Sequence, residues 1–443
     1  MKPMQKLTAL AAVSIAALST GSVMASTEAQ KQAAIDSGLA WLASNQAANG
    51  SWCQSGYCAA DTAAALLAFT EQSYKPVGWN GQNYSANVTQ ALGFLLQDAG
   101  TVSISNNRGD GKNANISGSG IGYIWGGGEA TYVTGLVLPA LSRVTAGVNG
   151  ITPSTVISSS NAAVNGKTYA QVIQDTVDMF ANGQSNVNSA AAAGNPGFRG
   201  GWRYTPSTGQ SDGSTAQWPA IGMLFAEQVP GVTVPLFVKD ELRYWIDYIQ
   251  CSSNGGSGYD SPCGGGAPVS ESKTGGLLVE MAFTGYNGSS SGAADLSDKA
   301  GALAYLDANW QNGPNGWNGN MGQPYAMWSV YKGLESTIGL TGSQITNFFY
   351  TGANQIKDDP NDIWNWWEDY SQYLVNSQNA GDGSWPGYYY WPQDLATAWN
   401  INILNATQVG PGPDPNPTPE PATLSLLGLA LIGLAGSLRR KNA

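Results

Sequence analysis

Between residue 33 and residue 408 one phrase recurs: an amphipathic helix pattern, a loop rich in Gly, Asn and Trp, then a second helix of small and apolar residues. The first copy runs from Ala33 through Leu39, Trp41 and Leu42 to Asn45-Gln46, then Asn49-Gly50-Ser51-Trp52, then Asp61-Thr62 to Phe69. The last copy is close to it: Trp367, Tyr370, Tyr373 and Leu374 lead to Ser377-Gln378, then Asp382-Gly383-Ser384-Trp385, then Asp394-Leu395 to Ile403. Four weaker copies lie between, with first-helix candidates at Ala86 to Gln97, Ala170 to Asn182, Pro235 to Gln250 and Asp298 to Trp310. Their partner helices begin near Glu129, Asp212 to Thr215, Glu271 and Gln323, after turns marked by Gly126-Gly127-Gly128, Gly200-Gly201-Trp202, Gly264-Gly265-Gly266 and Gly316-Trp317. A lone hairpin cannot bury both faces, whereas six around an axis can, so six pairs favour a closed ring over an open stack. The second helices, rich in Ala, Gly and Thr, belong on the inside, where backbones approach closely; the charged, large-residue helices belong outside.

The phrase Trp41-Leu42-Ala43-Ser44-Asn45-Gln46, Asn49-Gly50-Ser51-Trp52 and Asp61-Thr62-Ala63-Ala64-Ala65-Leu66-Leu67-Ala68-Phe69, echoed at Asp382-Gly383-Ser384-Trp385, resembles the squalene-cyclase and prenyltransferase repeat. The resemblance implies an all-α fold, an (α/α)6 toroid of six helical hairpins like the terpenoid cyclases and prenyltransferases, over residues 26–408. It does not carry an activity, because one fold hosts unrelated functions. Cyclases of this type protonate an alkene with D-x-D-D; the corresponding phrase here, Ser211-Asp212-Gly213-Ser214-Thr215, has one carboxylate. Asp358-Asp359-Pro360-Asn361-Asp362 matches the D-D-x-x-D spacing of metal-dependent prenyl enzymes, but Pro360 interrupts the helix that would align the three acids, and a helix-start turn fits better. The chain has no histidine, so neither the Asp-Cys-His zinc site of protein prenyltransferases nor a Ser-His-Asp triad can form. The thioester phrase G-C-G-E-Q is absent as well. No cofactor and no metal is expected.

The two ends address the chain outside the cytoplasm. Lys2 and Lys6 precede an apolar run from Leu7 to Leu18 and the small-residue exit Val23-Met24-Ala25-Ser26, the order of a secretory signal over residues 1–25. A proline-rich linker (409–418) is followed by Pro419-Glu420-Pro421, a charge-free stretch over 422–438 that reads as a membrane helix, and Arg439-Arg440-Lys441, which stay on the cytoplasmic side. These parts resemble the PEP-CTERM sorting signal over residues 419–443, which implies secretion machinery and an exosortase-type protease as partners, release or display at the cell surface, and association with exopolysaccharide producers.

Charge and cysteine usage agree with export. Five of the nineteen basic residues lie in the two ends, so fourteen face about 30 acidic groups and the processed form is near −16. Nucleic acid would be repelled. Cys53, Cys58, Cys251 and Cys263 bracket two Gly/Ser-rich loops, which in an oxidising compartment reads as the pairs Cys53–Cys58 and Cys251–Cys263, although four cysteines permit three connectivities. The loop Asn106-Asn107-Arg108-Gly109-Asp110-Gly111 could hold calcium or display Arg-Gly-Asp.

Five of the six second helices begin beside an acid: Asp61, Glu129, Asp212, Glu271 and Asp394. These carboxylates can accept hydrogen bonds from first-turn N–H groups, the ordinary role of Asp before Thr or Ser. Alternatively, one of them keeps its proton beside aromatic rings in the axial cavity and acts as a general acid. Asp212, Asp394 and Glu129 are the catalytic candidates on that second view. Among sixteen tryptophans and twenty tyrosines, Trp41, Trp52 and Trp385 recur in register and belong to the core. The run Tyr388 to Trp391 does not alternate like a core helix, so Tyr388, Tyr389 and Trp391, with Asp394, are the ligand-binding candidates. The sequence thus points to an exported, surface-sorted binding or structural component of the envelope or exopolysaccharide matrix. A neutral glycan is the leading ligand and an apolar molecule the other. A carboxylate-dependent carbohydrate-active or cyclase-like enzyme is the alternative.

Overall fold

The two kinds of helical pattern separate into two sets of helices in the computed structural model, which describes residues 27–408 except 76, 266, 293, 353, 354 and 356–363. The secretory signal, the linker, the sorting segment with its expected membrane helix, and the Asp358-to-Asp362 phrase lie outside the described residues. The charged set comprises α1 (Glu28–Ser44), α3 (Ser85–Asp98), α5 (Tyr169–Gly183), α8 (Leu236–Ile249), α10 (Lys299–Asn309) and α12 (Trp366–Ser377). The small-residue set comprises α2 (Cys58–Ser73), α4 (Ala130–Val144), α7 (Gln217–Ala226), α9 (Glu271–Thr284), α11 (Pro324–Ile338) and α13 (Gln393–Leu404); a short α6 (Val187–Ala192) sits between α5 and α7. The protein is mostly helical, as its periodicity predicts. Among the described residues no helix is long and apolar enough to cross a membrane.

The small-residue helices form one succession. α2 packs on α4, α4 on α7, α7 on α9, α9 on α11, α11 on α13, and α13 returns to α2. Close approach explains their composition: a Cβ at Gly275 would lie 2.6 Å from the Ser329 backbone, and one at Gly135 2.5 Å from Trp218. The charged helices pack against this inner set with one stripe. In α8, Val238, Leu242, Trp245, Ile246 and Ile249 are buried at helical spacing.

Most junctions are fixed by residues that recur from copy to copy. The loop tryptophan donates its indole N–H to the end of the preceding charged helix: Trp52 to Leu42 O at 2.9 Å, Trp125 to Leu95 O at 2.8 Å, Trp202 to Phe180 O at 2.9 Å and Trp385 to Leu374 O at 2.8 Å. The backbone N–H groups of Trp52, Trp125 and Trp385 donate to Thr62, Thr134 and Thr397 of the following inner helix at 3.0–3.1 Å. A glutamine amide then bridges to the next copy. Gln46 donates to Gly50 O and Asn87 O, Gln184 to Gly200 O and Val238 O, Gln250 to Gly255 O and Asp298 O, and Gln378 to Gly383 O and Ala34 O. The Gln378 bond joins the last copy to the first.

Three features depart from the sequence reading. A two-stranded antiparallel ribbon, β1 (Gly100–Ser103) and β2 (Ile121–Ile124), is inserted between α3 and α4, with Gly100 opposite Ile124; Gly122 lies so close to α5 that a Cβ would sit 2.5 Å from that of Met179. In the fourth copy the turn glycine is Gly255, not the Gly264 run, because Gly255 receives Gln250 and approaches Gly301 O too closely for a side chain. The turn that Gly316-Trp317 marks in the fifth copy leaves Trp317 55% exposed, and there the carbonyl of Trp310 is met by Asn320 Nδ2 at 2.8 Å. The Arg108 loop is not displayed either: Arg108 is buried, donates to Ala181 O at 2.7 Å and pairs with Asp110 at 2.9 Å.

The C-terminal ends of the inner helices form a closed floor. Glu71 of α2 pairs with Arg143 of α4, and Lys332 of α11 pairs with Glu335 at 2.8 Å, all nearly fully buried. The chain ends its described course there. Thr407 O accepts from Tyr331 Oη at 2.9 Å and Lys332 Nζ at 3.1 Å, and Gln408 O accepts from Arg143.

Candidate functional site

At the other end, where the inner helices begin, a cavity of about 720 Å³ opens. That lies within the usual range for small-molecule sites. The first two turns of the inner helices supply its walls: Ala60 of α2, Tyr132 and Leu136 of α4, Trp218 of α7, Lys273 of α9, Tyr325 of α11 and Trp399 of α13. Two loops complete the mouth. One carries Ser55 and Tyr57 and is closed by Cys53–Cys58; the other carries Tyr259 and is closed by Cys251–Cys263, so both cysteine pairs form as expected.

The rings in the cavity stack in pairs: Trp218 on Trp399 at 6.1 Å, Tyr325 on Trp391 at 5.0 Å and Tyr132 on Tyr204 at 5.8 Å. Most tyrosine hydroxyls are spent within the wall. Tyr132 donates to Ser214 Oγ at 2.6 Å, Tyr325 donates to Ser214 O at 2.9 Å, and Tyr204 and Tyr259 share a hydrogen bond. Burial pushes Tyr132, Tyr259 and Tyr325 above the ordinary tyrosine range, so they stay neutral. What the wall offers a ligand is therefore ring faces. At the rim the rings face solvent: Trp317 stacks on Tyr390 at 4.9 Å and 18°, with Tyr389 edge-on at 5.3 Å.

The sequence candidates fall in different places. Tyr388 and Trp391 close a tight turn by mutual backbone hydrogen bonds, and Tyr388 Oη accepts from Gly316 N at 2.8 Å. That turn throws Tyr389 and Tyr390 outward, 60% and 63% exposed, while Trp391 lines the cavity. Glu129 also lines the cavity, and burial raises its pKa, with the Asp212 charge adding to it. Asp212 is fully buried; one oxygen accepts from Ser214 N, Ser214 Oγ and Thr215 N, and the other from Thr215 Oγ1, with Arg203 at 3.4 Å. Glu271 accepts from Asn312 and Gly319 N.

Asp394 meets Asp61 instead of the cavity. Asp394 accepts from Gln54 N at 3.0 Å and Leu395 N at 2.8 Å, and Asp61 accepts from Ser55 N at 2.9 Å. The two carboxyl groups are in hydrogen-bonding contact, fully shielded from solvent. Burial, then the Asp394 charge, pushes Asp61 up to about 7, so Asp61 holds the proton the pair shares.

Sequence reasoning named the run that holds Tyr390 but missed Tyr132, Trp218, Tyr325, Trp399, Trp317 and Lys273. The available signal was a large ring, or a cation, interrupting a helix otherwise built of small residues, as in Ala130-Thr131-Tyr132 and Ala396-Thr397-Ala398-Trp399.

Residues 417–441 match the family described as the PEP-CTERM protein-sorting motif, and Pro419, Glu420 and Pro421 fall inside the match. The chain is therefore exported and reaches the cell surface or the extracellular space after C-terminal processing by exosortase-type machinery. No curated protein matches the chain.

Proposed function

We propose that the exported body is a binding module of the envelope or exopolysaccharide matrix that takes a neutral glycan at the mouth of an (α/α)6 toroid. The division that goes with it is a signal at 1–25, the toroid at 26–408, a linker at 409–418 and the sorting segment at 419–443. Support for the ring is the return of α13 onto α2 and the Gln378 bond to Ala34. The observation that carries the ligand class is the solvent-facing Trp317–Tyr390 stack above a cavity whose inner walls are ring faces. Sugar rings present C–H faces to such surfaces while their hydroxyls remain free for Glu129, Asn318 and Ser55. Tyr388, Tyr389, Trp391 and Asp394 then position this rim, Asp394 by holding the Gln54 loop.

The test is titration of the processed protein with neutral oligosaccharides, read by tryptophan fluorescence and calorimetry. Trp317→Ala with Tyr390→Ala is expected to weaken binding at least tenfold, about 1.4 kcal/mol, with an unchanged circular dichroism spectrum. Unaltered affinity in that double variant, or no neutral glycan bound, overturns the proposal.

One observation favours an acid catalyst: the proton held between Asp61 and Asp394 behind the cavity wall. Both groups are shielded, so binding is the leading function. Glycan turnover that disappears in Asp394→Asn, Asp212→Asn or Glu129→Gln while the fold persists would reverse that order.

A further inference from the structure

Lys273, on the first turn of α9, is the one lysine among the cavity's lining residues. It is 5% exposed, and among the described residues its ammonium group has no hydrogen bond or ion pair. The reason is visible in its neighbours. The two carboxylates whose field reaches it are committed elsewhere: Glu271 to Asn312 at 2.7 Å and Gly319 N at 3.1 Å, Asp212 to Ser214, Thr215 and Arg203. A largely buried lysine whose ammonium group has no partner, in a chamber walled by Tyr132, Trp218, Tyr259 and Tyr325, is costly as structure. Such an amine loses its proton readily and then carries a free lone pair at the cavity wall.

We propose that Lys273 is a nucleophilic amine that captures an aldehyde or ketone group of a ligand in the cavity as a reversible imine. The neutral amine attacks the carbonyl carbon and the C–N bond forms. The carbonyl π electrons move to oxygen, which takes up the proton that nitrogen sheds. The nitrogen lone pair then closes C=N as the C–O bond breaks, and the departing hydroxyl takes nitrogen's second proton and leaves as water. The net exchange is amine plus carbonyl for imine plus water, with no oxidant or reductant. The open-chain reducing end of a sugar carries such a group. The proposal uses the cavity of the preceding section but does not depend on glycan recognition at its rim.

Burial lowers Lys273 to about 8, with the Glu271 and Asp212 charges opposing the shift. The other titratable groups facing the chamber are Glu129 just before α4, Tyr132 from α4, Tyr57, Tyr204, Tyr259 and Tyr390 from the loops, and Tyr325 from α11, with Arg203 beside Asp212. An amine near 8 is neutral far more often at pH 7 than an ordinary lysine near 10.4.

The test treats the processed protein with glyceraldehyde and cyanoborohydride between pH 6 and 10, and maps reductively alkylated lysines by peptide mass spectrometry. Lys273 is expected to label on the order of tenfold or more faster than exposed Lys112 at pH 7, with its rate levelling off above about pH 8. Prior occupation of the cavity by a bound oligosaccharide should slow Lys273 and leave Lys112 unchanged. Lys273→Arg, folded by circular dichroism, should lose the fast phase. Labelling of Lys273 no faster than Lys112, or a rate still rising through pH 10, overturns the proposal. Failure of glycans to bind while glyceraldehyde still selects Lys273 would reject the glycan module and leave the amine site standing.

Discussion

The Asp61 and Asp394 pair, in the first turns of α2 and α13, stores a proton, and its effect on stability has a definite direction. The folded-state pKa of Asp61 is raised to about 7, above its ordinary 3.8. Below about pH 4 both folded and unfolded chains hold the proton, and the contribution to stability is fully present. As pH rises toward 7 the unfolded chain releases that proton while the folded protein keeps it, so stability falls by an amount on the order of 3–4 kcal/mol and then levels. Asp61→Asn removes this titration. The difference in unfolding free energy between the parent and Asp61→Asn, measured by denaturant titration, should therefore shift against the parent from pH 4 to pH 7 and stay constant above. A difference independent of pH would exclude the shared proton. The sequence made an acid at these helix starts legible, but the capping it suggested is not what Asp61 does: Asp61 lies inside the first turn of α2 and accepts from Ser55 N of the preceding loop. The sequence could not reveal that Asp61 and Asp394, 333 positions apart, meet each other. That contact exists only because the last inner helix packs on the first.

Helices were legible because burial imposes a period: every charged helix covers the stretch its apolar stripe marks, and the inner set follows the runs of Ala, Gly and Thr. The β1 and β2 ribbon was not, since four-residue strands within a long polar insertion carry too short an alternation to stand out. The role of the glutamines was hidden for another reason. Gln46 and Gln378 occur at the same place in the first and last copies, but their amides bridge to a different copy, which a linear phrase cannot express. Gln378 carries a prediction that Gln250 calibrates. Gln250→Ala leaves Gly255 O without its side-chain donor and takes one of two donors from Asp298 O, which keeps Ala302 N, an expected loss of about 2 kcal/mol. If the succession closes on itself, Gln378→Ala costs a similar amount, because Ala34 O and Gly383 O lose the same bonds. A Gln378→Ala variant within about 0.5 kcal/mol of the parent, beside a destabilised Gln250→Ala, would describe an open superhelix.

Taken as one body, the molecule has two unlike ends. The mouth, with its aromatic rim and both disulfide loops, lies where the inner helices begin; the floor, with its buried ion pairs, lies where they end. The chain leaves the body at the floor, held by Tyr331, Lys332 and Arg143, so the route toward the sorting motif starts on the side away from the mouth. A ligand site facing away from the attachment side stays open before C-terminal processing as well as after it. Residues 406–408 are then part of the body and not of the linker, which cutting the chain at two places can test. A chain ending after Gln408 keeps every floor bond and should unfold at the same denaturant midpoint as the longer protein. A chain ending after Asn405 deprives buried Tyr331 and Lys332 of the Thr407 carbonyl, and should lose on the order of 2–4 kcal/mol. Because floor and mouth are at opposite ends, that loss should appear in the unfolding midpoint and leave affinity for oligosaccharide, measured well below it, within about twofold of the parent. Equal midpoints for the two truncations would place the end of the folded body before Thr407 and remove the argument for which way the mouth faces.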